Sequence, residues 1–245
     1  MDRVLRILIV LLILLCGVFT AILAFHAYVD SRYAETLTST YEYQVTLVTD
    51  GPLTDLHLFL PLPTRVGGTS DVVRATGARG WTDIPAGWNL TLTGTEKYTL
   101  LEITAPSVPV TGGCSACGEA ESPLVLTIPA TVPGPINTTD PVGNDEVLKP
   151  RRSEAVKACT DTSGAGDSTP RCTGYETRFF ADYTTYPATT VVITVDLTGT
   201  NRWNIFSDRW SEFRDTARLT VLGESHGWQA ARGELVSGLG YSSLW

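Results

Sequence analysis

Histidine is scarce in this chain, and its scarcity bears on the first motif that meets the eye. Three histidines occur in 245 residues, at His26, His57 and His226. The stretch "TVLGESHGWQAA" holds Gly223-Glu224-Ser225-His226-Gly227, which fits the G-x-S-x-G turn that presents a serine nucleophile in α/β-hydrolases. That chemistry needs a base and an orienting acid, which in such folds follow the serine in the order acid, then histidine. Only 20 residues follow Ser225, and they hold Glu234 and no histidine beyond His226 itself. An unconventional site would have to recruit His57 from far away in sequence. The expectation is a Gly-rich turn between two strands, with no catalytic part for Ser225.

Basic residues are also in deficit, with 18 Lys and Arg against 26 Asp and Glu for a net charge of −8. The excess of eight acids persists when Asp2, Arg3, Arg6 and Asp30 are set aside. This excludes nucleic acid as the expected partner, because phosphate contacts need a basic footprint. Charge is nevertheless sparse at 18%, and 43% of the residues are apolar, enough for a sizeable core.

Two further absences concern the cysteines, of which there are five. Cys114-Ser115-Ala116-Cys117 is a CxxC, but "VTGGCSACGEAESP" is Gly-rich and no βαβ pattern surrounds it, as a thioredoxin-like site requires. No second CxxC exists to complete a four-cysteine zinc site, since Cys159 and Cys172 stand too far apart in sequence. "DTSGAGD" could offer Asp161 and Asp167 to calcium but lacks the closing glutamate. No metal and no cofactor is therefore expected. Apart from Cys16 in the apolar N-terminus, the cysteines are even in number, which favours disulfides among Cys114, Cys117, Cys159 and Cys172. Three pairings are possible. The sequence-local one would staple two polar loops, the larger contributing about 3 kcal/mol in the chain-entropy view.

What is present begins with "MDRVLRILIVLLILLCGVFTAILAFHAYVD", in which Ile7 to Phe25 is apolar except for Thr20. Nineteen helical residues span about 28 Å, close to the hydrocarbon thickness of a bilayer. No small-x-small cleavage site follows, so an uncleaved signal anchor is expected over residues 1–30. Arg3 and Arg6 precede the run, which predicts a cytoplasmic N-terminus and an extracellular C-terminal part. Asn89-Leu90-Thr91 and Asn137-Thr138-Thr139 are sequons that would then be open to glycosylation at Asn89 and Asn137.

Beyond a polar spacer at 31–40, apolar and polar residues alternate. Eight strands are predicted, at 41–49, 55–63, 89–94, 98–105, 123–129, 175–183, 189–197 and 217–222. In "DLHLFLPLP", Leu56, Leu58 and Leu60 share one face while His57 and Phe59 share the other. The fold expected for 41–245 is all-β, an antiparallel Ig-like β-sandwich, with a loop-rich, disulfide-bearing insertion at about 105–174. "WNIFSDRWSEFRD" sets Trp203, Phe206, Trp210 and Phe213 at spacings of three and four, which suits a short amphipathic helix or an aromatic loop. Trp81 and Trp88 flank "TDIPAG" and are read as core packing in preference to a carbohydrate platform.

The stretches "LHLFLPLP" and "IPAGWNLTLTGTEKYTLLEITAP" resemble parts of uncharacterised membrane-anchored surface proteins of methanogenic archaea, over about a third of the chain. The resemblance implies a place on the cell surface and no activity. Together these features predict a single-pass cell-surface protein with a structural or binding role, held by the membrane and meeting a cell-envelope protein or glycan. The competing reading is an extracellular enzyme or thiol-redox protein using Ser225 or the Cys114/Cys117 pair.

Overall fold

A computed structural model describes residues 2–65, 70–79, 81, 84–94, 99–112, 123–159, 166–167 and 169–241. The first element is a single helix, α1 (Asp2–Thr36), long and apolar enough to cross a membrane. It does not stop where the apolar run stops. The segment expected as a spacer is instead the last turns of α1 and the start of the first strand, because "SRYAET" contains nothing that breaks a helix and Arg32 pairs with Glu35 at 2.9 Å.

Among the described residues eleven strands follow: β1 (Thr38–Thr49), β2 (Leu53–Thr64), β3 (Asn89–Gly94), β4 (Thr99–Val108), β5 (Leu124–Val132), β6 (Val147–Lys149), β7 (Arg152–Lys157), β8 (Arg171–Thr184), β9 (Thr190–Asn204), β10 (Asp208–Leu222) and β11 (Ser225–Gly240). Two short helices, α2 (Asp71–Arg79) and α3 (Pro141–Asn144), interrupt them. All pairings are antiparallel, and the order across the sheet is β3-β4-β2-β8-β11-β10-β9-β1-β5, with β6 on β2 and β7 on β8.

The chain is thus mostly antiparallel β, as expected, but the strands form one sheet curled into a half-barrel where an Ig-like sandwich of two stacked sheets was predicted. The reason lies in strand length and in bulges, neither of which alternation reports. β8 to β11 run 14 to 16 residues, and right-handed twist accumulates along such strands. Register shifts between Thr54 and His57 of β2, where it pairs with β8, and between Glu212 and Arg214 of β10 bend the sheet further.

Alternation sends Tyr41, Tyr43, Val45 and Leu47 of β1, Leu56, Leu58 and Leu60 of β2 and Val191, Ile193, Val195 and Leu197 of β9 to the concave side. The open side of the curl is covered by α2, by Trp81 edge-on to Tyr43 at 6.4 Å, and by a crossing segment that buries Ile136, Val147 and Leu148. Trp81 and Trp88 pack against this core, in agreement with the expectation. The region 105–174 is more structured than a loop-rich insertion: it supplies β5 as a sheet edge, β6 and β7. The stretch 203–215 is neither helix nor free loop but the hairpin of β9 and β10, in which Trp203 and Phe213 are buried.

Candidate functional site

The G-x-S-x-G motif is the tight connection between β10 and β11, so a strand follows the serine where a nucleophile elbow needs a helix. Gly223, at φ +77°, makes the turn and donates its N–H to the carbonyl of Thr189 at 2.7 Å. Ser225 is buried, paired across the ladder with Tyr183, and its Oγ accepts from Gln229 Nε2 at 3.2 Å. His226, as the next residue of a strand, points to the opposite face. There its Nδ1 meets Asp182 at 2.8 Å, and that hydrogen bond holds the ring above the ordinary histidine range. His57 is on the outer face as well, bonded to Glu102 at 2.9 Å. Neither ring is hydrogen-bonded to the serine hydroxyl.

The cysteines divide in two. Cys159 and Cys172 form a disulfide, as in the sequence-local one of the three possible pairings, with Cα atoms 5.2 Å apart, while Cys114 and Cys117 lie outside the described residues, as does Asp161. Of the sequon asparagines, Asn89 opens β3 and is exposed. Asn137 lies in the loop before α3, where its Oδ1 accepts from Thr139 Oγ1 and from the Asp140 N–H, both at 3.0 Å. Among the described residues no group of three or more His, Cys, Asp or Glu side chains gathers in a way that could hold a metal ion.

The arrangement with the most chemistry on it is the outer face of the sheet, and the ladder register builds it. Thr91, Glu102, Phe59, Phe180 and Trp228 are directly opposed across β3, β4, β2, β8 and β11. Asn89, Thr104, His57, Asp182 and His226 form the next row on the same strands. Directly opposed residues share one face at about 5 Å, so each row is a stripe of touching side chains. Phe180 stands edge-on between Phe59 and Trp228 at 5.3 and 5.6 Å, and the planes of Phe59 and Trp228 are within 20° of parallel. The His57 ring lies 4.7 Å from Phe59. Trp228 is 51% exposed, unusual for the largest apolar side chain in the middle of a sheet.

Carboxylates rim this aromatic stripe. Glu102 accepts from Thr93 Oγ1 at 2.7 Å, Thr91 Oγ1 at 3.0 Å and His57 Nε2 at 2.9 Å, and these bonds, the threonines first, hold it below the ordinary glutamate range. A depressed folded value contributes stability above the unfolded value and loses it as pH falls through the folded one. Glu102→Gln is therefore expected to lower the melting temperature at neutral pH by about 2–4 °C. In thermal unfolding across an acid titration, the two proteins should converge below the ordinary glutamate range; a gap that persists there would contradict the assignment.

The stripe was half legible in the sequence. The alternation in "LHLFLPL" places His57 and Phe59 together, but Phe180 and Trp228 join them only through long-range pairing, which no local pattern reports. Comparison of the chain with protein-family models, curated proteins and solved structures finds no match.

Proposed function

We propose that the chain is a single-pass surface protein whose sheet binds a cell-envelope partner through the outer aromatic stripe, with no catalytic role for Ser225. The observation that carries this reading is the half-exposed Trp228, held by Phe180 and beside Phe59 at the end of the sheet remote from α1. Trp228 is twelve residues along β11 from Gly240, next to which Tyr241 packs on the α1 contact. That is about 40 Å along the strand. Near-parallel rings rimmed by carboxylates and threonine hydroxyls suit a glycan, whose sugar faces are apolar and whose edges carry donors. The apolar run of α1, with Arg3 and Arg6 ahead of it, supports the anchor and its orientation. Asn89 lies in the neighbouring row, so glycosylation there would place the chain's own sugar beside the stripe.

Trp228→Ala is expected to weaken co-sedimentation of the detergent-solubilised full-length chain with isolated envelope polysaccharide at least about tenfold, as loss of a central aromatic anchor does. Stability should change by less than about 1 kcal/mol, since half of the ring is already in water. A variant that sediments like the wild type would remove the stripe from the binding role. Release of the wild-type chain from membranes by alkaline carbonate would remove the anchor.

A further inference from the structure

The basic side chains of this acidic chain are not evenly spread, and four arginines gather on the outer face of the sheet beside the aromatic stripe. The register of β7, β8, β11 and β10 sets Arg152, Glu176, Arg232 and Arg218 directly opposite one another in a single row. Arg178 stands in the row between this one and the stripe, opposite Ala230. It is therefore the diagonal neighbour of both Trp228 and Arg232 on β11, about 7–8 Å from each. All four arginines are exposed.

Among the described residues no side-chain hydrogen bond, ion pair or ring contact engages Arg152, Arg178, Arg218 or Arg232. The other charges nearby are occupied. Lys157 holds Glu234 at 2.8 Å, Arg214 holds Glu212 at 2.5 Å, and Asp196, in the row beyond Arg218, accepts from Thr216 Oγ1 at 2.6 Å. What remains is four guanidinium groups around the single carboxylate of Glu176. Arg218 faces Arg232 across the ladder, like charge against like, which costs stability in a sheet. Arginine forks set side by side match planar bidentate anions. An open cleft of about 360 Å³ continues the surface past Arg218 and Arg232. The whole chain carries a net charge of −8, so this cluster is no by-product of a basic surface.

Position decides between the anions that could meet it. Arg232 is eight residues along β11 from Gly240, about 27 Å from the end of the sheet that packs on α1, so lipid headgroups at the foot of the anchor lie out of reach. Trp228 is only four residues away in the other direction, about 13 Å. Between them the strand presents Ala230, whose small side chain leaves the path open. A hexose stacked on Trp228 carries its C6 group at the rim of the ring, and in a uronic acid that group is a carboxylate. Arg178 is placed to receive it, and the sugars that follow meet Arg232 and Arg218. We infer that the outer face takes an acidic polysaccharide, with its rings on the Phe180–Trp228 stripe and its uronate carboxylates on Arg178, Arg232 and Arg218. This names the ligand class of the stripe and rests on that reading.

The detergent-solubilised full-length chain is titrated at low ionic strength with polygalacturonate, with its neutral methyl ester and with inorganic polyphosphate. The wild type should prefer polygalacturonate to the ester by at least about tenfold, and added salt should erase that preference while leaving binding of the ester unchanged. The R178Q/R218Q/R232Q protein should lose the preference yet bind the ester as the wild type does, which also shows that it is folded. E176Q removes the one carboxylate of the row and should tighten polygalacturonate about threefold. Trp228→Ala should weaken both polymers. Equal binding of the two polymers by the wild type, or a preference that survives in the arginine variant, overturns the acidic ligand and leaves the stripe in place. Failure of the wild type to bind polygalacturonate overturns it too. A Trp228→Ala protein that binds both polymers like the wild type removes the stripe and this inference with it. Polyphosphate bound as tightly as polygalacturonate assigns the arginines to charge alone. A wild type that dimerises in sedimentation velocity where the arginine variant does not assigns them to an acidic surface of a second copy. Either result overturns the inference.

Discussion

Replacing Asp215 by alanine is expected to destabilise the chain by about 3–5 kcal/mol, the largest electrostatic effect any single substitution here should have. Asp215 projects from β10 to the concave side of the half-barrel and is fully buried. Its carboxylate accepts from Tyr175 Oη at 2.6 Å, from the Leu148 N–H at 2.8 Å and from Arg151 Nη2. Arg151 is itself almost fully buried, sits over the Tyr175 ring at 4.3 Å, and gives its Nε–H to the Leu148 carbonyl at 2.9 Å. Leu148 and Arg151 belong to the segment that crosses the open side of the curl, so Asp215 is where that cover is tied to the sheet. Alanine would leave a buried guanidinium without its counter-charge and two donors without an acceptor. Removing both charges should cost much less: a D215A/R151M double variant is expected to recover most of the loss, because a matched apolar pair avoids the desolvation that an isolated charge suffers. Thermal or denaturant unfolding of the solubilised chain measures both. A double variant as unstable as D215A alone would show that the cover is held by something other than this pair.

How much of this was readable beforehand depends on where each residue finds its partner. All eight predicted strands exist, because each carries its own alternation: "YEYQVTLVT" buries Tyr41, Tyr43, Val45 and Leu47 as a period of two requires. The turn at Gly223–Gly227 was expected to join two strands, but the second, β11, was given no range, because its inward positions are small, as at Ala231 and Gly233, and Gly227, Gly238 and Gly240 hold positive φ, so that "SHGWQAARGELVSGLG" shows no apolar alternation. The apolar cover that Gly233 lacks comes from another strand: a Cβ built there would lie 2.1 Å from the Tyr175 ring of β8. The same missing strand carries Trp228, so the aromatic stripe could not be assembled from sequence. In the 203–215 stretch, spacings of three and four suggested a helix. Trp203 and Phe213 face inward on two antiparallel strands joined at Ile205–Ser207, and a hairpin produces that spacing as readily as a helical turn.

Phe213 should then respond as a core residue of the curl, and Phe213→Ala is expected to cost about 3–5 kcal/mol, toward the upper end. The ring is fully buried, edge-on to Tyr41 at 6.3 Å, and lies directly across the ladder from Gly199. It occupies the space a side chain at 199 would take, since a Cβ built on Gly199 would fall 2.3 Å from the ring. Truncation therefore opens a cavity beside a glycine, which has nothing with which to fill it. Gly199→Ala alone should also destabilise, by about 1–3 kcal/mol, because the new methyl group and the ring compete for one volume. The two losses should not add. With the ring gone, the methyl group introduced by Gly199→Ala has room and partly occupies the cavity, so the G199A/F213A protein is expected to be no less stable than F213A, and more stable than the sum of the single effects by at least about 1 kcal/mol. Unfolding free energies of the four proteins give this coupling directly, and strict additivity would mean that the ring does not rest on Gly199 in solution.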